Sequence, residues 1–447
     1  MESGEGCAAT RRRRTSVLFK RAISMLILVL LTRLVFVPLL GQQVYVSSCA
    51  TSAGTGSSSS PYNTLSRAVT AAPPGSTLVI AGGSYPDAIT IQKNLALTAS
   101  GGRVLVGGQF VGTQEICVPI TDDSCAWSFP LDPSAVFCSE NPLGARAKLY
   151  YPAAGPGNAP VACGGPFPLI VYAHGNRNYP SCDGSTSAPP QDDYRQADGI
   201  LSPLAAAGFI VISVDVSWFR WGGAVEKATI ILNALAFARD ENARSGSRLK
   251  GAVDMGRVGL AGHSTGGTAA VGAANYLREQ FCAASLDLGE VRAAALALLA
   301  PGFTGAMPFA PALVIHGTTD TGQVGDGPLK TYEGATGPKH LVVVTGANHY
   351  GYTDALCVAP PDDGLCEVGG VAGQDARRRQ QRTAGNYVEA FFSYYLRGAT
   401  TKRDYLLQQS GEQCGHPGDP PTCGSPRRRF EDLNSLNVEV NICSCPP

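Results

Sequence analysis

The chain has 447 residues with 35 basic and 35 acidic side chains, so its formal net charge is zero. That balance offers no overall electrostatic attraction to nucleic acid or to an anionic surface. Charged residues are only 16% and hydrophobic ones 44%, with 53 Gly and 31 Pro, which excludes a wholly disordered chain and favours a folded, loop-rich protein with a neutral surface. Fourteen cysteines accompany only six histidines and no C-x-x-C pair, a pattern that argues against a zinc framework. Most of the cysteines lie in Gly/Pro-rich stretches, where disulfides staple loops in an oxidising compartment. Cys357 with Cys366, and Cys414 with Cys423, are spaced for local bridges.

Residues 1–41 read as an export signal or a membrane anchor. The run Arg11-Arg12-Arg13-Arg14, with Lys20 and Arg21, is a basic region ahead of the apolar stretch 22–31. A core of that length suits a secretory signal better than a membrane span. Residues 34–40 would extend it to spanning length, but only by placing Arg33 near mid-membrane. Val46-Ser47-Ser48-Cys49 is similar to a lipoprotein cleavage box, so three fates stand open: cleaved signal, uncleaved anchor, or lipoprotein. In each the protein is expected outside the cytoplasm, secreted, periplasmic or at the cell surface, with membrane contact only through this segment.

Residues 42–108 alternate short β-rich runs with Gly turns: 44–46, 77–80, 89–91, 95–97 and 104–106 are expected strands, and 62–69 a helix. Strands about ten residues apart suit a coiling β architecture. The order of strand, Ser/Gly loop, helix and "GSTLVIAGGSY" resembles the opening of pectin-lyase-like right-handed parallel β-helices. So short a solenoid has to lean on a neighbour to bury a core. It is expected to act as a packing appendage, or alternatively as a carbohydrate- or surface-binding module. Residues 109–141, rich in Cys and Pro, read as a linking region.

Residues 142–398 alternate strands and helices. Expected strands are 147–151, 168–173 (PLIVYA), 209–214 (FIVISV), 257–261, 293–299, 313–316 and 341–345, and expected helices are 200–207, 224–243, one from Thr265, and 383–397. Continuously apolar strands alternating with helices predict an α/β fold: a mostly parallel sheet covered on both faces. Residues 399–447 form a Cys-rich extension.

The chemistry concentrates at Gly262-His263-Ser264-Thr265-Gly266. A G-x-S-x-G pentapeptide is weak alone, but here a strand precedes it and a helix follows, which puts Ser264 on a sharp elbow. A serine needs a base to take its proton. His349 lies on the loop after the last core strand, whereas His340 precedes that strand, His316 lies inside one, and His263 is fixed beside the serine. A carboxylate must then orient the imidazole. Asp320 follows the strand 313–316; Asp287, Asp326 and Asp354 compete, but none combines a buried preceding strand with the chain order serine, acid, histidine. Backbone donors for an oxyanion are expected at Thr265 and at Asn176, with Gly175 close behind. His174 is expected to shape that loop. Trp218, Trp221, Tyr179 and Tyr350 are candidates for lining a substrate cleft, with loop packing as the alternative.

Together, "VYAHGNR", "LSPLAAAGFIVISVD", "GRVGLAGHSTGGTAA", "ALVIHGTTD" and "VVVTGANHYGYTD" resemble, in family order, serine hydrolases of the α/β-hydrolase superfamily. The nearest branch holds dienelactone hydrolases, platelet-activating-factor acetylhydrolases, chlorophyllases and cutinase-like polyester hydrolases. The resemblance spans residues 145–398 and implies the α/β-hydrolase fold and a cofactor- and metal-free esterase. Its triad would be Ser264, Asp320 and His349, and its substrate a small or polymeric ester; separately, the chain is expected to be a monomer. It departs from the family at the Gly-rich acid loop 321–330 and in the fused β-rich segment. The same triad would also serve a peptidase or an acyltransferase, and a surface-binding protein with a dead site is the alternative of a different class.

Overall fold

The structure is a computed structural model, and it describes residues 41–87, 89–120, 144–176, 193–217, 224–280, 286–302, 307, 309–320, 325–344, 347–354, 371–407, 428–429 and 439–445. Strand β1 (Gln43–Val46), helix α1 (Leu65–Ala71), β2 (Thr77–Tyr85) and β3 (Ala96–Val106) form an amino-terminal unit in which β1, β2 and β3 pair parallel in that order. Thr64 caps α1 by accepting from the Arg67 N–H at 3.3 Å. Val44 and Val46, Leu65, Ala68 and Val69, and Leu78, Ile80 and Tyr85 close a small core of their own. Two expectations change here. Residues 89–91 are not a strand, and the two runs at 95–97 and 104–106 are one long strand. Its register against β2 breaks between Ala81 and Gly83, so two short apolar runs belong to one bent element.

The second unit is a mixed α/β layer structure. Its strands are β4 (Phe110–Pro119), β5 (Gly144–Ala153), β6 (Phe167–Ala173), β7 (Ile210–Val214), β8 (Val253–His263), β9 (Ala293–Leu299), β10 (Ala312–Gly317), β11 (Lys339–Val344), β12 (Arg428–Arg429) and β13 (Glu439–Cys445). They hydrogen-bond in the order β12-β13-β11-β10-β9-β8-β6-β7-β5-β4. The six strands from β11 to β7 run parallel, while at one edge β5 pairs antiparallel with β7 and β4 with β5, and at the other β13 pairs antiparallel with β11 and β12 with β13. The main helices are α2 (Asp198–Ala206), α3 (Ala224–Ala243), α4 (Thr265–Glu279), α5 (Gly327–Gly334) and α6 (Val371–Arg397).

Why the central strands read as unbroken apolar runs is plain from β6, every residue of which is buried. Leu169, Val171 and Ala173 enter the core under α3 and α4, and Ile170 and Tyr172 enter the opposite core under α2 and α6. Side chains alternate across a sheet, so a strand with helices on both faces is apolar at every position. Residues 109–141 are not simply a link: β4 occupies Phe110–Pro119 and adds an edge strand in register with β5. The carboxy-terminal extension likewise gives β13 to the other edge.

The two units are tied through Ser84, whose Oγ accepts from the Phe110 N–H at 3.0 Å and donates to the Ala153 carbonyl at 3.4 Å, and through a disulfide that joins Cys49 to Cys163 across a sequence separation of 114. Cys117, in β4, is also disulfide-bonded. The bridges expected at Cys357/Cys366 and Cys414/Cys423 lie outside the described residues, as does the export segment. Among the described residues no helix is long and apolar enough to cross a membrane.

His340, in β11, packs edge-on to Phe391 of α6 and bonds through Nε2 to the Tyr395 hydroxyl at 2.9 Å. Burial pushes its pKa down to about 4. The unfolded chain, with His near 6.5, therefore binds more protons between those values, and stability is complete above pH 6.5 and lost as the pH falls toward 4. The loss from this one group is on the order of 3 kcal/mol. Urea midpoints at pH 7 and pH 4.5 should thus separate more in the wild type than in His340→Gln. Replacing Cys49 and Cys163 together by Ser should destabilise the fold by up to about 5 kcal/mol on a loop-closure model, read as a lower urea midpoint by circular dichroism.

Candidate active site

Parallel strands end at a common edge, and the loops that leave that edge meet one another. Four such loops follow β6, β8, β10 and β11, and they carry Gly175 and Asn176, Ser264, Asp320, and His349. At Ser264 the chain passes from β8 into α4 with φ 55° and ψ −125°, a conformation L-residues rarely hold. It is held there from both sides. The Ser264 N–H donates to the Leu299 carbonyl at 2.9 Å, and the Gly267 N–H donates to the Ser264 carbonyl at 3.0 Å. Side chains are excluded around the turn: a Cβ on Gly266 would fall 2.1 Å from the Ala173 carbonyl oxygen, and one on Gly262 would fall 2.4 Å from Gly266.

His349 Nε2 lies 3.0 Å from Ser264 Oγ, and His349 Nδ1 lies 2.8 Å from Asp320 Oδ2. A carboxylate only accepts, so Nδ1 carries the proton and Nε2 is left to accept from the serine hydroxyl. All three are buried, Ser264 the least so at 7% exposure. The structure therefore brings together the serine, histidine and aspartate expected from the sequence. The competing acids are engaged elsewhere. Asp354 accepts from the Asp198 N–H at 2.5 Å at the start of α2, Asp326 pairs with Lys330 at 2.8 Å, and Asp287 lies on an exposed turn.

The loops that carry Asp320 and His349 are laced to each other. Thr319 donates to the Ala347 carbonyl through its N–H at 3.0 Å and through its hydroxyl at 2.7 Å. From α6, Gln380 accepts from the Asn348 N–H at 3.2 Å and donates to the Asn348 carbonyl at 2.8 Å. His263 donates through Nε2 to the His349 carbonyl at 2.8 Å, which joins the serine elbow to the base loop. Burial, reinforced by the neighbouring His349, holds the His263 pKa well below the ordinary imidazole value, so this histidine stays neutral.

The loop after β6 runs against the serine, since a Cβ on Gly175 would fall 2.8 Å from Ser264 Cβ. His174 shapes that loop as expected. Its Nδ1 donates to the Gly175 carbonyl at 2.7 Å, and its Nε2 accepts from the Val216 N–H at 3.0 Å. Thr265, the first residue of α4, has one of the helix N–H groups that lack a partner within the helix. One contact here has no forerunner in the sequence reading: Lys227 of α3, 1% exposed, donates to Asn176 Oδ1 and to Thr265 Oγ1, the latter at 3.0 Å. The only signal for it was a lysine at the head of a helix that is otherwise apolar toward the sheet.

Tyr350 is 6% exposed and stands edge-on to the His349 ring, with 4.9 Å between the ring centroids. Trp218, Trp221 and Tyr179 lie outside the described residues. A cavity of about 760 Å3 between β4, β5 and the carboxy-terminal end of α3 includes none of Ser264, Asp320 or His349 in its walls. Among the described residues no group of three or more His, Cys, Asp or Glu side chains could hold a metal ion.

No protein-family model matches the chain, and no curated protein matches it.

The steric argument at the elbow has a direct test. Gly266→Ala should lower thermal stability by more than about 3 kcal/mol or abolish folding, because the new methyl overlaps backbone. Gly302→Ala, whose Cβ would come no closer than 3.5 Å to Thr268 Oγ1, should stay within about 0.5 kcal/mol of the wild type. Thermal unfolding of the pair settles the comparison.

Proposed function

We propose that this protein is a serine hydrolase with the α/β-hydrolase fold, cleaving carboxylic esters through an acyl-enzyme. The observation that carries the reading is the hydrogen-bonded chain Asp320–His349–Ser264, built on a left-handed turn at the carboxyl edge of a parallel sheet. His349 takes the proton of Ser264 through Nε2 as Oγ attacks the ester carbonyl. The carbonyl oxygen, now negative, is held by the Thr265 and Asn176 backbone N–H groups. His349 then hands its proton to the leaving alcohol. In the second half His349 deprotonates a water, which attacks the acyl carbon and releases the acid and Ser264. Asp320 keeps the proton on Nδ1 and stabilises the imidazolium formed in each half.

None of these steps requires a metal or an organic cofactor. The expected setting is outside the cytoplasm, which the Cys49–Cys163 disulfide supports. Residues 42–108 are the opening coils of a right-handed parallel β-helix, a reading supported by three strands pairing parallel in sequence order. Their exposed third strand has no covering coil among the described residues, and the unit packs against β4 and β5 as an appendage.

Hydrolysis of p-nitrophenyl esters from acetate to laurate by the full chain, produced under oxidising conditions, tests the reading. Ser264→Ala should abolish turnover, and Asp320→Asn should lower kcat by about four orders of magnitude at nearly constant KM. Covalent labelling of Ser264 by a fluorophosphonate should be lost in Ser264→Ala. A folded wild type that neither hydrolyses any ester of the series nor takes the label would overturn the proposal.

A further inference from the structure

Lys227 is a poor residue to bury without a purpose. An ammonium group loses several kcal/mol of hydration inside a protein unless its hydrogens find acceptors, and it can only donate. At 1% exposure its Nζ reaches Asn176 Oδ1 and Thr265 Oγ1, which belong to two different elements: the loop after β6 and the first turn of α4. Lys227 itself stands on a third, α3. Three elements thus meet at one charged atom, beside the two residues whose backbone N–H groups form the oxyanion hole in the reading above.

We infer that Lys227 is a positioning residue of that oxyanion hole, and the inference rests on the serine-hydrolase reading. With its oxygen held by the ammonium, the Asn176 side chain cannot rotate, and the Thr265 hydroxyl is fixed in the same way. The two backbones are therefore locked at one separation, although nothing in the covalent chain near them links residue 176 to residue 265. An oxyanion hole works because its donors are already aimed where charge develops, so that no reorganisation is needed during the reaction. A tie between the donor-bearing residues supplies that fixity.

A residue that merely fills space would affect stability. A residue that sets the donors would affect the transition state more than the bound ester. The test uses the full chain produced under oxidising conditions, with active sites counted by fluorophosphonate titration. The measured quantities are kcat and KM on p-nitrophenyl butyrate, the affinity for an alkyl trifluoromethyl ketone that forms a tetrahedral adduct with the serine, and the melting temperature. Lys227→Met should lower kcat about 30- to 300-fold with KM changed less than about threefold, and weaken the ketone in the same proportion; loss of a whole oxyanion donor elsewhere costs about 100- to 1,000-fold. Thr265→Val should lower kcat as well, and combining it with Lys227→Met should cost less than the product of the two losses.

Lys227→Met with wild-type kcat per labelled site and wild-type ketone affinity overturns the inference, whatever happens to its melting temperature. Should Lys227→Met not fold, Thr265→Val and Asn176→Ala each remove one acceptor while keeping the lysine, and wild-type kcat in both overturns it equally. If the wild type itself takes no label at Ser264, it is the hydrolase reading that has failed, and the positioning role falls with it.

Discussion

The backbone at Ser264 sits where an L-residue pays about 1–3 kcal/mol, and the surrounding structure is arranged so that it has nowhere else to go. The carbonyl oxygens at the end of β6 crowd Gly266 from one side, and Gly262 and Gly266 meet each other across the turn. The strain is offset by what flanks it. β8 lies among parallel strands buried on both faces, and α4 is pinned to the sheet by Ala269, Ala270, Ala273 and Leu277. Small residues along α4 let that helix sit close, and the close seat is what makes the turn sharp. Loosening any one of these elements would relax the serine away from the histidine.

The same sheet explains why three side chains so far apart in the chain are neighbours. β6, β8, β10 and β11 point one way, so the loops that follow them emerge together. The loops are then fastened sideways. Thr319 holds Ala347, Gln380 holds Asn348, and His263 holds the backbone of His349. A neutral His263 suits this task, because its single ring proton is committed to the His349 carbonyl.

Much of this was legible in the sequence because the central strands announce themselves. A strand such as 168–173, apolar at every position, fits only between two helical layers, and the residues after such strands must lie at one edge. That logic located Ser264, Asp320 and His349 without knowledge of their contacts. It failed where the signal is not apolar periodicity. β4, with Thr113, Gln114 and Glu115 at its centre, has the polarity of an edge strand and was read as a link. The Ile89 region has strand-like residues, yet the sheet passes it by, since β2 takes its next partner from Ala96 onward. Lys227 and Gln380 escaped because a polar residue on a helix is ordinarily solvated, and only the assembled packing reveals which ones face inward. The Cys49–Cys163 bridge joins positions that no spacing rule connects.

That bridge has a further consequence. The chain from Cys49 runs through the small parallel unit and the edge strands β4 and β5 before it returns to Cys163, so the disulfide closes the whole of that path into a covalent ring. A single cut anywhere within the ring would open it without releasing a fragment. In surroundings rich in proteases the small unit would remain attached to its neighbour after being nicked, and only the combination of a nick and a reductant would separate them.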